Sequence, residues 1–190
     1  MVAETSVNRA ALASRSLASV VLVVWGWSVL VGTGVGLIGG CAGPIRGPRA
    51  GALRISELDR VGDARQQASM RLVVEGLDAE LASTPQRALS RYERAIQIDP
   101  SNPFAYLALA RYYAARADSE RALQNLDRAQ SLLDPSTTVY RSAEPHLLGL
   151  RGWALADAGR SADADPLLAE AGRLAPPVWG DGRLEASELR

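Results

Sequence analysis

The side chains able to do covalent chemistry are few in this sequence. Cys41 is the one thiol and His146 the one imidazole. One Cys and one His do not assemble a zinc site of the usual Cys/His kind, and a lone Cys excludes an internal disulfide. Asp163 and Asp165 are two apart, so on a helix they do not share a face, and they read as solvated charge rather than an acid pair. Gly180, Asp181 and Gly182 form a turn, and no Gly-rich phosphate loop follows a strand pattern. Catalysis, a metal and a small-molecule cofactor are therefore not expected. The 21 basic residues, all Arg, balance 21 acidic ones, so no strongly basic face invites nucleic acid. With aromatics at 5% and Ala, Leu and Arg abundant, the composition favours helices packed closely through small residues.

Cys41 stands where an uncharged run, residues 16–40, ends; Arg9 and Arg15 precede the run, and Arg46, Arg49 and Arg54 follow it. Its dense apolar part, residues 17–31, has the length of a signal-peptide core and falls short of the roughly 20 residues that span a bilayer. The rest, "GTGVGLIGG", is rich in helix-weakening glycine. Ile38-Gly39-Gly40-Cys41 resembles the lipobox of bacterial lipoproteins, with an aliphatic residue, two small residues and the acceptor thiol. Ile in place of the more usual Leu, Gly at the second position and the 40-residue length depart from the common pattern. The resemblance implies cleavage after Gly40 and acylation of Cys41. With Ala42 following, it also implies a lipid-anchored, periplasm-facing place in a bacterial envelope, at the outer membrane. The alternative is an uncleaved single-pass anchor in the inner membrane, with Gly32 and Gly36 offering a small-residue packing face.

The elements that follow divide into a Pro- and Gly-rich tether over 41–55, a lead-in helix over 56–68 and a helical region over 69–178. Residues 179–190 form a C-terminal cap or tail. Residues 42–54 reach at most roughly 45 Å when stretched.

In "ALSRYERAIQIDP" the residues Ala88, Tyr92, Ala95 and Pro100 resemble the second helix of a tetratricopeptide repeat and the turn that ends it. With Ala88 as twentieth position, units fall at 69–102, 103–136 and 145–178, with an insertion at 137–144. The second unit carries Tyr106, Leu109, Ala110, Tyr113, Ala122, Leu126 and Ala129 at the expected offsets. The third carries Leu148, Gly152, Leu155, Gly159, Ala164, Leu168, Ala171 and Pro176, and the first Leu72, Gly76 and Ala79. Glu75 and Arg151 depart from the pattern where an aliphatic residue belongs. Thr84 before Pro85 and Asn102 before Pro103 offer capping oxygens ahead of first-turn prolines. The resemblance implies an all-α fold, a short right-handed solenoid of three helix-turn-helix units.

Repeats of this family bind proteins or peptides on the concave face lined by each unit's first helix. The facing positions are Met70, Val73, Leu77, Glu80 and Leu81; Phe104, Leu107, Arg111, Ala114 and Ala115; and His146, Gly149, Trp153, Ala156 and Asp157. Phe104, Leu107, Arg111, His146 and Trp153 are the candidate protein-binding groove, with the aromatic and Arg content of a hot spot. Alternatively, the lead-in helix or the C-terminal tail folds over part of this face and turns Met70, Val73, Leu77 and Leu81 into core. The function expected is a non-catalytic adaptor in envelope assembly, held to the membrane through lipidated Cys41; the alternative is a regulatory or assembly subunit at the inner membrane.

Overall fold

Asp63 starts the first long helix by reciprocal capping. Its carboxylate accepts the Gln66 N–H at 2.8 Å, and the Gln66 side-chain oxygen accepts the Asp63 N–H at 2.8 Å, satisfying donors that a helix start leaves free. The computed structural model describes residues 53–58, 60 and 62–190. The chain divides into a unit Met1–Ile45, which lies outside the described residues, and a unit Arg46–Arg190, to which the following refers. A 3₁₀ turn at Ile55–Glu57 comes first. It is followed by α1 (Ala64–Leu81), α2 (Pro85–Ile98), α3 (Pro103–Ala114), α4 (Ser119–Leu132), α5 (Thr138–Asp157), α6 (Ser161–Leu174), α7 (Pro176–Trp179) and α8 (Ala186–Leu189). No strand occurs among the described residues.

The six long helices form three hairpins, α1 with α2, α3 with α4 and α5 with α6. In the first, Ser69 Oγ donates to the Ala95 carbonyl at 2.9 Å, while Gly76, later on α1, faces Tyr92, earlier on α2. The two helices therefore run antiparallel. They approach closely because small residues sit at the crossings. Gly76, Ala88 and Ala95, then Ala110, Ala122 and Ala129, then Gly152, Ala164 and Ala171 are all buried. A Cβ on Gly76 would stand 2.3 Å from the Tyr92 ring, and one on Gly152 would stand 3.1 Å from the Ala164 carbonyl oxygen. The all-α solenoid of paired helices expected from the repeat spacing is the fold that forms.

The turn inside each hairpin repeats as faithfully as the packing. Ser83, Ala117 and Gly159 hold left-handed φ values of 55°, 55° and 76°. The next N–H in each turn closes back on the preceding helix: Thr84 to the Ala79 carbonyl at 2.8 Å, Asp118 to Tyr113 at 3.0 Å and Arg160 to Leu155 at 2.9 Å. This pattern satisfies carbonyls that a helix end would otherwise leave free. Between hairpins, Asn102 caps α3 by accepting the Phe104 N–H at 3.0 Å. Thr84, expected to cap α2, instead donates its hydroxyl to the Ala79 carbonyl at 2.8 Å and so closes α1.

Three segment boundaries differ from the sequence expectation. Among the described residues, no separate lead-in helix covers 56–68. Gly62, at φ 96°, breaks the chain in a conformation open to glycine, and residues 64–68 are the opening turns of α1 itself. The tether does not run free to residue 55, because Leu53 and Ile55 are buried in the core while Arg54 between them is exposed. Residues 137–144 are not an insertion ahead of a third unit starting at Pro145. Thr137 caps α5 by accepting the Tyr140 N–H at 3.1 Å, and Pro145 lies inside that helix.

The two departures from the aliphatic pattern are charges at helix-helix contacts. Glu75 on α1 pairs with Arg91 on α2 at 3.3 Å, and Arg151 on α5 pairs with Asp127 on α4 at 2.7 Å.

Candidate protein-binding face

The first helices of the hairpins, α1, α3 and α5, share one side of the solenoid, where α1 meets α3 and α3 meets α5. The expected groove residues all lie there, but they do not form an open groove. Phe104, Leu107, Arg111, His146 and Trp153 are buried, as are Met70, Val73 and Leu77. What covers them is the chain itself. Residues 53–55 close one part of the face, and residues 179–190 cross the rest. Left uncovered, this apolar surface would face water; Trp179, Leu184, Ala186 and Leu189 bury themselves against it instead.

The C-terminal segment meets each first helix in turn. On α5, Trp179 lies over Gly149, where a Cβ would stand 2.4 Å from the indole ring. Glycine at this position leaves room for the ring. The Trp179 indole N–H donates to His146 Nδ1 at 3.3 Å, and His146 Nε2 pairs with the Leu53 carbonyl at 3.3 Å. A carbonyl only accepts, so Nε2 carries the proton and Nδ1 is the free acceptor, which is the neutral tautomer that suits both neighbours. Burial pushes the His146 pKa down to about 4, with the Leu53 hydrogen bond opposing that shift. His146 is therefore a neutral structural link between head, tail and α5.

On α3, Arg111 binds the segment through its backbone, Nη1 donating to the Leu184 carbonyl at 3.4 Å. Its Nη2 pairs with the Glu80 carboxylate on α1, and the two side chains are only 4% and 8% exposed. Glu80 also accepts the Tyr92 hydroxyl at 2.7 Å and lies 3.7 Å from Arg116. Burial first, and the Glu80 charge next, hold the Tyr92 hydroxyl well above its ordinary pKa, so it stays a donor. Arg116 in turn covers the Tyr112 ring at 3.5 Å. On α1, Arg190 pairs with Asp78, and its main-chain oxygen accepts the Ser56 N–H at 3.1 Å.

Two buried donors on this face have no hydrogen-bond partner among the described residues, Arg111 Nε and Trp153 Nε1. Both sit near residues 183 and 184, since the Arg183 guanidinium lies 5.5 Å from the Trp153 ring. The thirteenth positions, Leu81, Ala115 and Asp157, are exposed at the ends of α1, α3 and α5. Leu81 is 51% exposed.

Sequence reasoning placed the facing residues but missed Glu80 as the anchor of Arg111 and missed Asp78 and Ser56 as docking points for the tail. A readable signal was the even spacing of Trp179, Leu184 and Leu189, five residues apart. Cys41 and the cleavage residues Ile38, Gly39 and Gly40 lie outside the described residues. Among the described residues, no group of three or more His, Cys, Asp or Glu is placed to hold a metal ion, and no helix is long and apolar enough to cross a membrane.

The tetratricopeptide repeat family model matches residues 92–124, from the second half of α2 through α3 into α4. A search of curated proteins finds no match to the chain.

Proposed function

We propose that this tetratricopeptide repeat protein is a membrane-tethered, non-catalytic adaptor that holds a protein partner on the concave face of its three hairpins, as part of cell-envelope assembly. Repeats of this kind are typically protein-interaction modules. The observation that carries the proposal is that α1, α3 and α5 together already hold a peptide-like segment, residues 179–190, by an ion pair on α1, a hydrogen bond to its backbone on α3 and an apolar contact on α5. A surface that accommodates one such segment has the shape and chemistry to accommodate another.

The membrane part rests on sequence. The run over 16–40 ends in Ile38-Gly39-Gly40-Cys41, which supports cleavage after Gly40, lipidation of Cys41 and a periplasm-facing position at the outer membrane. Residues 42–52 then tie that anchor to the folded unit. Labelled palmitate tests this directly: the native chain takes up label and Cys41→Ser does not. Equal processing and no lost label would favour the uncleaved single-pass anchor instead.

The partner face is tested by a photo-crosslinking residue placed in cells at Leu81, Ala115 or Asp157, all exposed at the rim. A shared protein adduct is expected from these positions and not from Glu93 or Glu120, exposed on the second helices. Equal adducts from both sets, or none from the rim, would contradict the proposal.

A further inference from the structure

We propose that residues 183–190 are a resident ligand of the concave face, and that partner binding exchanges this segment for one of similar chemistry. This rests on the reading of the concave face as the partner site. Three observations support it.

The segment first has the form of a bound peptide rather than of a further repeat. Its only regular structure after α7 is the four-residue helix α8. Leu184, Ala186 and Leu189 are buried, the Leu184 carbonyl accepts from Arg111 on α3, and Arg190 pairs with Asp78 on α1. A repeat buries a pair of long helices against its neighbour; this segment buries a row of anchors.

The fit is also incomplete. Arg111 Nε and Trp153 Nε1 remain buried and unpartnered beside residues 183 and 184. Buried donors are nearly always satisfied in native structures, because leaving one unpaired forfeits its hydration for nothing. An occupant with a side-chain oxygen at this place would satisfy what the resident segment leaves open.

The segment finally has a point at which to swing away. Gly180 and Gly182 flank Asp181 directly after α7, and Gly182 holds φ 76° with open space around it. Rotation there releases residues 183–190 without disturbing α6. The partner that fits is a segment with apolar residues in the places of Leu184 and Leu189 and a carboxylate or amide oxygen beside the first. Tethering gives the resident segment an effective concentration on the order of millimolar, so only a partner of better fit displaces it.

The probe is a fluorescent peptide of residues 182–190, titrated into the full chain. Leu184→Asp/Leu189→Asp frees the face, and its repeats are checked by far-ultraviolet circular dichroism. It should bind the peptide at least about tenfold more tightly than the native chain does. Arg190→Glu, a surface change that sets like charge against Asp78, serves if the double variant does not fold, and should tighten binding at least about threefold. Either folded variant binding no more tightly than the native chain would overturn the proposal. A peptide carrying Arg183→Gln brings an acceptor to the unpartnered donors and should bind the freed face more tightly than the native peptide; equal or weaker binding would remove the acceptor from the description of the partner. If the peptide binds the freed face but rim crosslinks give no protein adduct, the resident ligand stands and the adaptor reading fails. Adducts without peptide binding give the reverse.

Discussion

Ser56 and Arg190, 134 residues apart in the chain, meet through the Ser56 N–H and the Arg190 main-chain oxygen at 3.1 Å. The contact brings the last residue of the chain against the 3₁₀ turn at the start of the folded unit, with Asp78 of α1 pairing with the Arg190 side chain beside it. The solenoid is thereby closed across its concave side by its own two ends.

The Asp78–Arg190 pair is close to half exposed on both sides, and pairs of that kind contribute about 0–1 kcal/mol. Asp78→Ala should therefore lower the global unfolding free energy, read from urea denaturation, by less than about 1 kcal/mol. Its main effect should be faster amide exchange across residues 184–190, read by mass spectrometry. A large global loss would mean that the tail end supports the repeats as a whole.

The Glu80–Arg111 pair behaves differently because it is buried. Removing one partner of a buried pair costs about 3–5 kcal/mol, since the other charge is left unpaired out of water. Glu80→Ala should lose stability on that scale in urea denaturation, while Glu80→Leu/Arg111→Met should recover much of the loss. If Glu80→Ala behaves like Asp78→Ala, water reaches Arg111 freely and the face is open.

His146 links stability to pH. Its pKa stands near 4 in the folded chain against an ordinary 6.5, so between those values the unfolded chain binds more protons. Stability is full above about pH 7, declines by about 3 kcal/mol as pH falls toward 4, and loses nothing more from this residue below that. Protonation at Nδ1 also sets a proton against the Trp179 N–H, so Trp179 emission should shift to the red over the same range. Asp118, Asp134 and Glu170, held below the usual carboxylate range by hydrogen bonds from Arg121, Ser136 and Arg173, lose their part at lower pH. His146→Gln should flatten the profile between pH 6.5 and 4.5; an unchanged slope would contradict the assignment.

The hairpin turns offer a stability test away from the face. Ala117 holds φ 55° and Gly159 φ 76° at equivalent places, with no atom near enough to Gly159 to clash with a Cβ. The left-handed conformation costs an ordinary residue roughly 1–2 kcal/mol, offset in part by the extra unfolded freedom of glycine. Ala117→Gly should raise stability by about 0.5–1 kcal/mol and Gly159→Ala lower it by about 1 kcal/mol, measured by thermal or urea unfolding. The opposite order would show that the turns do not share one geometry.

The hairpin core was legible because packing two helices this closely demands small residues at fixed offsets, and Gly76, Ala88 and Ala95 recur as Gly152, Ala164 and Ala171. Element ends were less legible. Pro145 looks like a helix start, but Thr137 captures the Tyr140 N–H eight residues earlier, and the helix tolerates the proline. Whether the concave face stands open was not legible at all from the repeat. Phe104 and Trp153 suit a hot spot and a core equally, and the choice is made by Trp179, Leu184 and Leu189, which reach the face only once the chain has turned back at α7. The Thr84 hydroxyl shows the same limit at small scale, since its two neighbours, a helix end and a helix start, compete for it.

The central claim, that the partner face is held by an exchangeable segment of the chain itself, is tested most directly by native-state amide exchange on the full chain. Residues 184–190 should exchange together, at least about a hundredfold faster than the α3 amides, because they open as a local unit while the hairpins stay folded. Protection of residues 184–190 equal to that of α3 would contradict the claim and make the tail an inseparable part of the core.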